Sequence, residues 1–143
     1  MNDIQRAKEL LSSENHTCVL CKGDTVYTSG KSGIAPMVIF ISEGVDLKGF
    51  SVADKIVGKA AAMLFVLAGV RSAYGEVMSR EGLEFLQANG IEASYSVLTE
   101  KIINRTGTDI CPMEKTVKDI SGPEEAFSAI KETIKKLKEG KPL

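Results

Sequence analysis

The densest cluster of reactive residue types in this 143-residue sequence lies at positions 104–115. Cys111 directly precedes Pro112, and proline is favoured at the first position of a helix, so the thiol is expected at the N-cap. There the sulfur would face unpaired backbone amides and the positive end of the helix dipole, which favour the thiolate. Cys111 is therefore the candidate nucleophile or redox thiol. The alternative is that Thr108 or Asp109 caps the helix and Cys111 only fills space.

The loop before Cys111 carries side chains that suit an anionic ligand. It supplies an amide, a guanidinium, hydroxyls and a flexible glycine: Asn104, Arg105, Thr106, Gly107, Thr108 and Asp109. Donors of this kind, placed before a helix N-terminus, hold phosphate or carboxylate groups. Glu114 lies three residues after Cys111, where a capping-box acid belongs, and is a candidate orienting carboxylate. The alternative is an ordinary polar loop.

Lys59 stands directly before an apolar run at residues 60–68. An ammonium group is costly to bury unless it is paired, so we expect Lys59 to be paired, neutral or at the mouth of a cleft. It is a candidate base or charge partner for Cys111. Simple extension of its ammonium group into water is the alternative.

The segment around Lys59 is predicted to be one long helix. Ser51 is a favoured N-cap and Gly69 a typical residue at a helix end, so the helix should run between them. On such a helix Lys55 and Lys59 share a face, and Asp54 is adjacent to that face. Asp54 and Lys55 therefore join the candidate ligand-binding residues. The second half of the helix has no polar face, so it should be covered on all sides.

Three further motifs carry less chemistry than their residue types suggest. Gly30-Lys31-Ser32 ends like a phosphate-binding loop, but Thr25 stands where the first glycine is required. Cys18 and Cys21 have the spacing of a metal-binding pair, but in a strand an offset of three sends the two thiols to opposite faces. His16 is the only histidine, so neither a zinc site nor a histidine-based triad is expected. We predict no metal and no cofactor.

Periodicity and breaker residues predict the remaining elements. Helices are expected at residues 3–14, 34–43, 80–88, 112–119 and from 123 onward, and strands at 17–22, 25–29, 71–78 and 92–97. The two short strands flank Gly23-Asp24 and so should form a hairpin. The last strand alternates apolar and polar residues, which predicts one exposed face. No repeat or linker is present, and residues 1–143 are expected to form a single domain.

Composition narrows the class of protein. Eighteen basic and 19 acidic residues give a net charge of -1, so nucleic acid is not an expected partner. The longest apolar run has nine residues, whereas a membrane span needs about 20, so no membrane partner is expected. Three cysteines without a secretion signal indicate reduced thiols and a cytoplasmic location.

Two stretches resemble those of an uncharacterised bacterial family, a domain of unknown function grouped with the cytidine-deaminase-like fold. They are SVADKIVGKAAA at 51–62 and INRTGTDICPMEK at 103–115, and the likeness extends over nearly the whole chain. The resemblance implies a three-layer α/β fold with a small mixed sheet, an N-terminal β-hairpin, a central apolar helix and helices on both faces. It also implies that residues 34–43, whose pattern suits either a buried strand or a helix, are helical.

The zinc motifs of the wider deaminase fold are missing from this sequence. The first, Cys or His followed by Ala-Glu, would fall on Lys59-Ala60-Ala61, and the second, Pro-Cys-x-x-Cys, on residues 79–82, which read Ser-Arg-Glu-Gly. Activation of water by zinc needs three ligands and a glutamate, so zinc-dependent deamination is not expected. The resemblance implies a cleft near Lys59 and the strand ends, but no reaction.

Two hypotheses for function follow. In the first, the domain binds a small anionic or nucleotide-like metabolite, or is a thiol-dependent enzyme, with Cys111 and Lys59 as candidate catalytic residues. The candidate ligand-binding residues are Asp54, Lys55, Asn104, Arg105, Thr106, Thr108 and Glu114. In the second, it is a non-catalytic module for interaction or homo-oligomerisation, whose interface uses the last strand and the central helix.

Overall fold

The computed structural model describes residues 1–13, 15–104 and 107–140. Its helices are α1 (Asp3–Ser13), α2 (Ala35–Ser42), α3 (Lys59–Ala68), α4 (Arg80–Ala88), α5 (Pro112–Val117) and α6 (Pro123–Glu139). Its strands are β1 (Cys18–Lys22), β2 (Thr25–Ser29), β3 (Ser51–Val57), β4 (Ser72–Ser79) and β5 (Glu92–Thr99). The predicted elements are confirmed to within a few residues, except in the segment between Ser51 and Gly69.

The five strands form one mixed sheet in the order β2-β1-β3-β4-β5. β1 pairs antiparallel with both β2 and β3, whereas β3, β4 and β5 run parallel. The predicted hairpin between β1 and β2 is confirmed, and Gly23 in its turn has a φ of 57°, which favours glycine. The parallel strands are joined by crossover helices, α3 between β3 and β4 and α4 between β4 and β5.

Helices cover both faces of the sheet, which gives three layers. On one face Ala7 and Leu11 of α1 pack against Val19 and Cys21 of β1. On the other face the larger core contains α3 and parts of α2, α4, α5 and α6. Cys18 belongs to this larger core, so the prediction that Cys18 and Cys21 point to opposite faces is confirmed. Both thiols are buried and unbridged.

The prediction of one helix from Ser51 to Ala68 is wrong. Residues 51–57 form strand β3 in the centre of the sheet, Gly58 follows, and the helix begins at Lys59. Ser51 does not cap a helix, because its buried hydroxyl lies 2.6 Å from the hydroxyl of Ser72 on β4. Tertiary pairing of β3 with β1 and β4 outweighs the local preference that the sequence pattern indicates.

The helix that remains, α3, is the predicted apolar centre of the fold. Residues 60–65 are buried, and α3 contacts α2, α4, α5 and α6. Residues 66–68, at its C-terminal end, are half-buried, so most of the helix is covered by its own chain. Among the described residues, no helix is long and apolar enough to cross a membrane.

Candidate functional site

Glu114 and Lys59 meet where α5 approaches the start of α3. The two carboxylate oxygens of Glu114 accept hydrogen bonds from the backbone amides of Lys59, at 2.7 Å, and Ala60, at 2.9 Å. These amides have no partner within their own helix, so Glu114 caps α3 and also complements its dipole. The prediction that Glu114 serves a capping box at its own helix is wrong, because its side chain reaches another helix.

Two glycines allow this close approach. A Cβ atom on Gly58 would lie 2.2 Å from a carboxylate oxygen of Glu114, so any larger residue would displace the carboxylate. A Cβ atom on Gly82, in the first turn of α4, would lie 3.0 Å from the carbonyl oxygen of Gly58. The start of α4 is capped by Ser79, whose hydroxyl accepts from the amide of Gly82 at 3.0 Å. The N-termini of both crossover helices, α3 and α4, are therefore capped by side chains of the chain itself, Glu114 and Ser79.

Burial raises the pKa of Glu114 above its ordinary value. The hydrogen bonds from Ala60 and Lys59 act in the opposite direction, because they stabilise the charged form. Glu81, on the first turn of α4, adds a smaller upward contribution to the same pKa by charge repulsion. The carboxylate thus belongs to the packed junction of α3, α4 and α5.

The ammonium group of Lys59 lies at the far end of α5 from Cys111. It donates to the carbonyl oxygens of Val117, at 2.9 Å, and Lys118, at 3.1 Å, at the C-terminus of α5. Cys111 is the N-cap of the same helix, and six helical residues span about 9 Å. The structure therefore does not bring together the two candidate catalytic residues. Of the three alternatives expected for Lys59, the structure shows the paired one, with backbone carbonyl groups as the partners.

The N-cap position predicted for Cys111 is confirmed, but its thiol makes no capping hydrogen bond. The backbone of Cys111 is tied in place on both sides. Its amide donates to the carbonyl oxygen of Ile102 at 2.9 Å, and its carbonyl oxygen accepts from the backbone amide of Lys115 at 3.1 Å. The thiol is half-buried and unbridged.

The loop before Cys111 folds around the side chain of Asn104. Its amide oxygen accepts from the backbone amides of Thr108, at 3.1 Å, and Asp109, at 3.4 Å. Asp109 in turn accepts from the ammonium group of Lys115. These polar groups thus hold the turn together. Arg105 and Thr106, the other two candidates in this loop, lie outside the described residues.

Asp54 and Lys55 lie on β3, away from the helix face on which they were expected. Asp54 is only 5% exposed and lies opposite Cys18 of β1 in the sheet register. Burial raises the pKa of Asp54 to about 7, although hydrogen bonds from Ile56, Lys55 and Cys18 act to lower it. Burial and the adjacent Asp54 also raise the pKa of the Cys18 thiol. Lys55 forms an ion pair of 3.0 Å with Glu76 on β4.

The edge strand β5 is more open than its alternating sequence predicts. Ser94 to Val97 are four consecutive exposed residues, so both faces of the strand are open there. Tyr95 is 42% exposed and Val97 55%, and Ile56 on β3 is 51% exposed. Val77 of β4 pairs with both Ile56 and Val97, so the three side chains form one row across the sheet. We call Ile56, Val77 and residues 94–97 the β5 surface.

The sequence analysis assigned the last strand to a possible interface, but it predicted only one exposed face and did not include Ile56. One signal was available, because the strand has no charged residue between Glu92 and Glu100. Edge strands are usually protected by charges or proline, so an unprotected edge can be read from the sequence once the strand order is known. The strand order itself comes from the tertiary structure.

The described residues contain no group of three or more metal-ligating side chains. Among the grooves that they form, two lie along α6. One, of about 500 Å³, lies between α2 and α6, and the other, of about 460 Å³, lies between α5 and α6. Neither is lined by Lys59, Cys111 or Asp54. The cleft expected near Lys59 is filled by Glu114.

The fold and this site define a three-layer mixed α/β domain whose two crossover helices are capped by its own side chains. The chain belongs to the DUF1893 family, a domain of unknown function, whose family model matches residues 6–134. The predicted family is thereby confirmed. The chain is similar to a DUF1893 family protein from Thermotoga maritima, with 26% identity and a TM-score of 0.84 over 92% of this chain and 89% of that one.

Two deaminases are weaker structural matches. A dCMP deaminase from the cyanophage S-TIM5 has 14% identity and a TM-score of 0.44, over 65% of this chain and 93% of that one. A diaminohydroxyphosphoribosylaminopyrimidine deaminase/5-amino-6-(5-phosphoribosylamino)uracil reductase from Thermotoga maritima has 14% identity and a TM-score of 0.46. That match covers 99% of this chain and 42% of the enzyme. A comparison with curated proteins found no match.

Proposed function

We propose that this domain is a non-catalytic interaction module that self-associates through the β5 surface. The observation that carries the proposal is the run of four exposed residues in an edge strand, Ser94 to Val97, with Tyr95 and Val97 among them. An edge strand presents unpaired backbone groups, and another strand is the partner that satisfies them. A second copy of β5 supplies such a strand, and a twofold axis would pair the two antiparallel.

The apolar side chains of this surface add to the backbone groups. Ile56, Val77 and Val97 form a row that leads to the free edge, and covering such side chains on association is favourable. The strand between Glu92 and Glu100 holds no charge that would oppose pairing. The module would need no reactive group, which agrees with the use of Glu114 and Lys59 as helix caps.

The test is the oligomeric state of the Val97→Lys variant, measured by sedimentation velocity over a range of concentrations. We expect the native chain to form a dimer and the variant to be a monomer, because a lysine on an edge strand opposes pairing. Val26→Lys is the matched control, since Val26 is 38% exposed on the opposite edge strand, β2. A monomeric native chain, or equal effects of the two substitutions, would refute the proposal.

A small anionic ligand is the second candidate, favoured by the groove between α5 and α6. Lys115 and Lys136 line this groove, and so does the hydroxyl-bearing Thr116. The test is a thermal-shift screen of nucleotides and phosphorylated metabolites against the native chain and Lys136→Gln. A ligand at 100 times its dissociation constant stabilises the folded state by about 2.7 kcal/mol, and the variant should lose this shift. No shift across the panel would exclude the candidate, and an equal loss of shift in Cys111→Ala would favour the thiol-dependent alternative.

A further inference from the structure

The groove between α2 and α6 has an apolar floor and a basic rim. Val38 and Ile134 are half-buried apolar residues, whereas the lysines that line the groove are exposed. The lining residues are Val38, Lys131, Ile134, Lys135, Lys138 and Glu139. Three cations beside one carboxylate give the rim a net positive charge.

The α2 side of the groove is apolar, and the chain covers this helix only in part. The helix, APMVIFIS, has no charged side chain. Pro36 and Met37 are buried, but Val38 to Ile41 are only half-buried. A helix that is apolar all round is normally covered on all sides, so α2 keeps apolar surface available to a partner.

The rim lysines lie in one line along α6. Lys131, Lys135 and Lys138 are spaced by four and three residues, so they share one face of the helix and span about 10 Å. The ammonium group of Lys131 lies 4.5 Å from the ring centroid of Phe127, which holds it near the helix surface. Carboxylates at the same helical spacing on a partner would face these cations.

We propose that the groove between α2 and α6 binds an acidic amphipathic helix of a partner protein. The apolar side of the partner helix would cover Val38 and Ile134, and its carboxylates would meet the three lysines. Charge complementarity favours an acidic partner, and the apolar floor favours a helix with one apolar face over a nucleic acid. The net charge of -1 for the whole chain also gives no general attraction for nucleic acid.

This site is independent of the β5 surface. Phe40 of α2 contacts Tyr27 of β2, with 5.8 Å between ring centroids. The groove therefore lies toward the β2 edge of the sheet, and β5 is the opposite edge. Helix binding in the groove and strand pairing at β5 can each fail without the other.

The test uses the full chain and three synthetic helical peptides with the same leucine face. One carries glutamate on the flanking positions, one glutamine and one lysine, and binding is measured by fluorescence anisotropy. We expect the glutamate peptide to bind at least about tenfold more tightly than the glutamine peptide, and the lysine peptide not to bind. Equal binding of the glutamate and glutamine peptides would overturn the proposal.

Substitutions in the chain test whether the peptide binds in the groove between α2 and α6. Lys135→Gln combined with Lys138→Gln should weaken binding of the glutamate peptide about tenfold. Val38→Thr should also weaken its binding, because it removes apolar contact. Lys31→Gln combined with Lys101→Gln makes the same change of net charge elsewhere on the exposed surface. Equal loss in this control pair would overturn the proposal. So would lysine-dependent cosedimentation with anionic phospholipid vesicles without any peptide binding, which would assign the groove to a membrane surface.

Discussion

Glu114 and Lys59 cap each other's helices. The carboxylate of Glu114, on α5, accepts from the first amides of α3, and the ammonium group of Lys59, on α3, donates to the last carbonyls of α5. Each charge lies at the helix end whose dipole it complements. Two residues that carry reactive groups are thereby used to fasten α3 and α5 together, in the region where a cleft was expected.

Removal of the Glu114 carboxylate should destabilise the fold. We expect Glu114→Ala to lower the free energy of unfolding by about 1 to 3 kcal/mol, because two amides at the start of α3 lose their partner. Urea denaturation measures the change. Glu114→Gln keeps one acceptor oxygen and should lose less, so an equal loss in both variants would contradict the capping role.

The glycine at position 58 should be required only while Glu114 is present. Gly58→Ala places a Cβ atom where the carboxylate lies, and we expect a loss of about 1 to 3 kcal/mol in the free energy of unfolding. In the background of Glu114→Ala the clash is absent, so the same substitution should cost much less. A double-mutant cycle measured by urea denaturation gives both values, and additive effects would rule out the contact.

Lys59 should stabilise the fold but leave the reactivity of Cys111 unchanged. Lys59→Met removes two hydrogen bonds at the C-terminus of α5, and we expect a loss of roughly 1 to 2 kcal/mol in stability. The rate of alkylation of Cys111 by iodoacetamide should stay within about twofold, because the ammonium group bonds the opposite end of a helix that is about 9 Å long. Cys18 and Cys21 are buried and should not react in the folded chain. A tenfold change in the alkylation rate would contradict this prediction and would support Lys59 as the charge partner of Cys111.

Asp54 should make the fold less stable as the pH rises from about 4 to about 7. Its pKa is raised from an ordinary value of 3.8 to about 7, so the folded state binds this proton more tightly than the unfolded state does. The stabilisation is complete below the unfolded pKa and is lost progressively up to pH 7, by about 4 kcal/mol in total. Asp54→Asn cannot ionise, so its unfolding free energy should fall less over this range. Parallel pH profiles of the two proteins would contradict the assignment.

The sequence by itself determined most of the local elements. Gly23-Asp24 between two β-rich runs specifies the hairpin, and Pro112 and Pro123 mark the starts of two helices, because turn and cap preferences depend on a few neighbouring residues. The offset of three between Cys18 and Cys21 was enough to send the thiols into different cores, since alternation is a property of a single strand.

The tertiary structure alone decided which polar groups meet. Residues 51–57 became a strand because β1 and β4 pair with them, and that pairing buried Asp54 beside Cys18. Glu114 reaches Lys59 across 55 residues of chain, at a point that Gly58 leaves open. Such contacts depend on how separate elements pack, which no local pattern contains. For the same reason the position of β5 at the edge of the sheet, with both faces exposed at residues 94–97, became evident only in the tertiary structure.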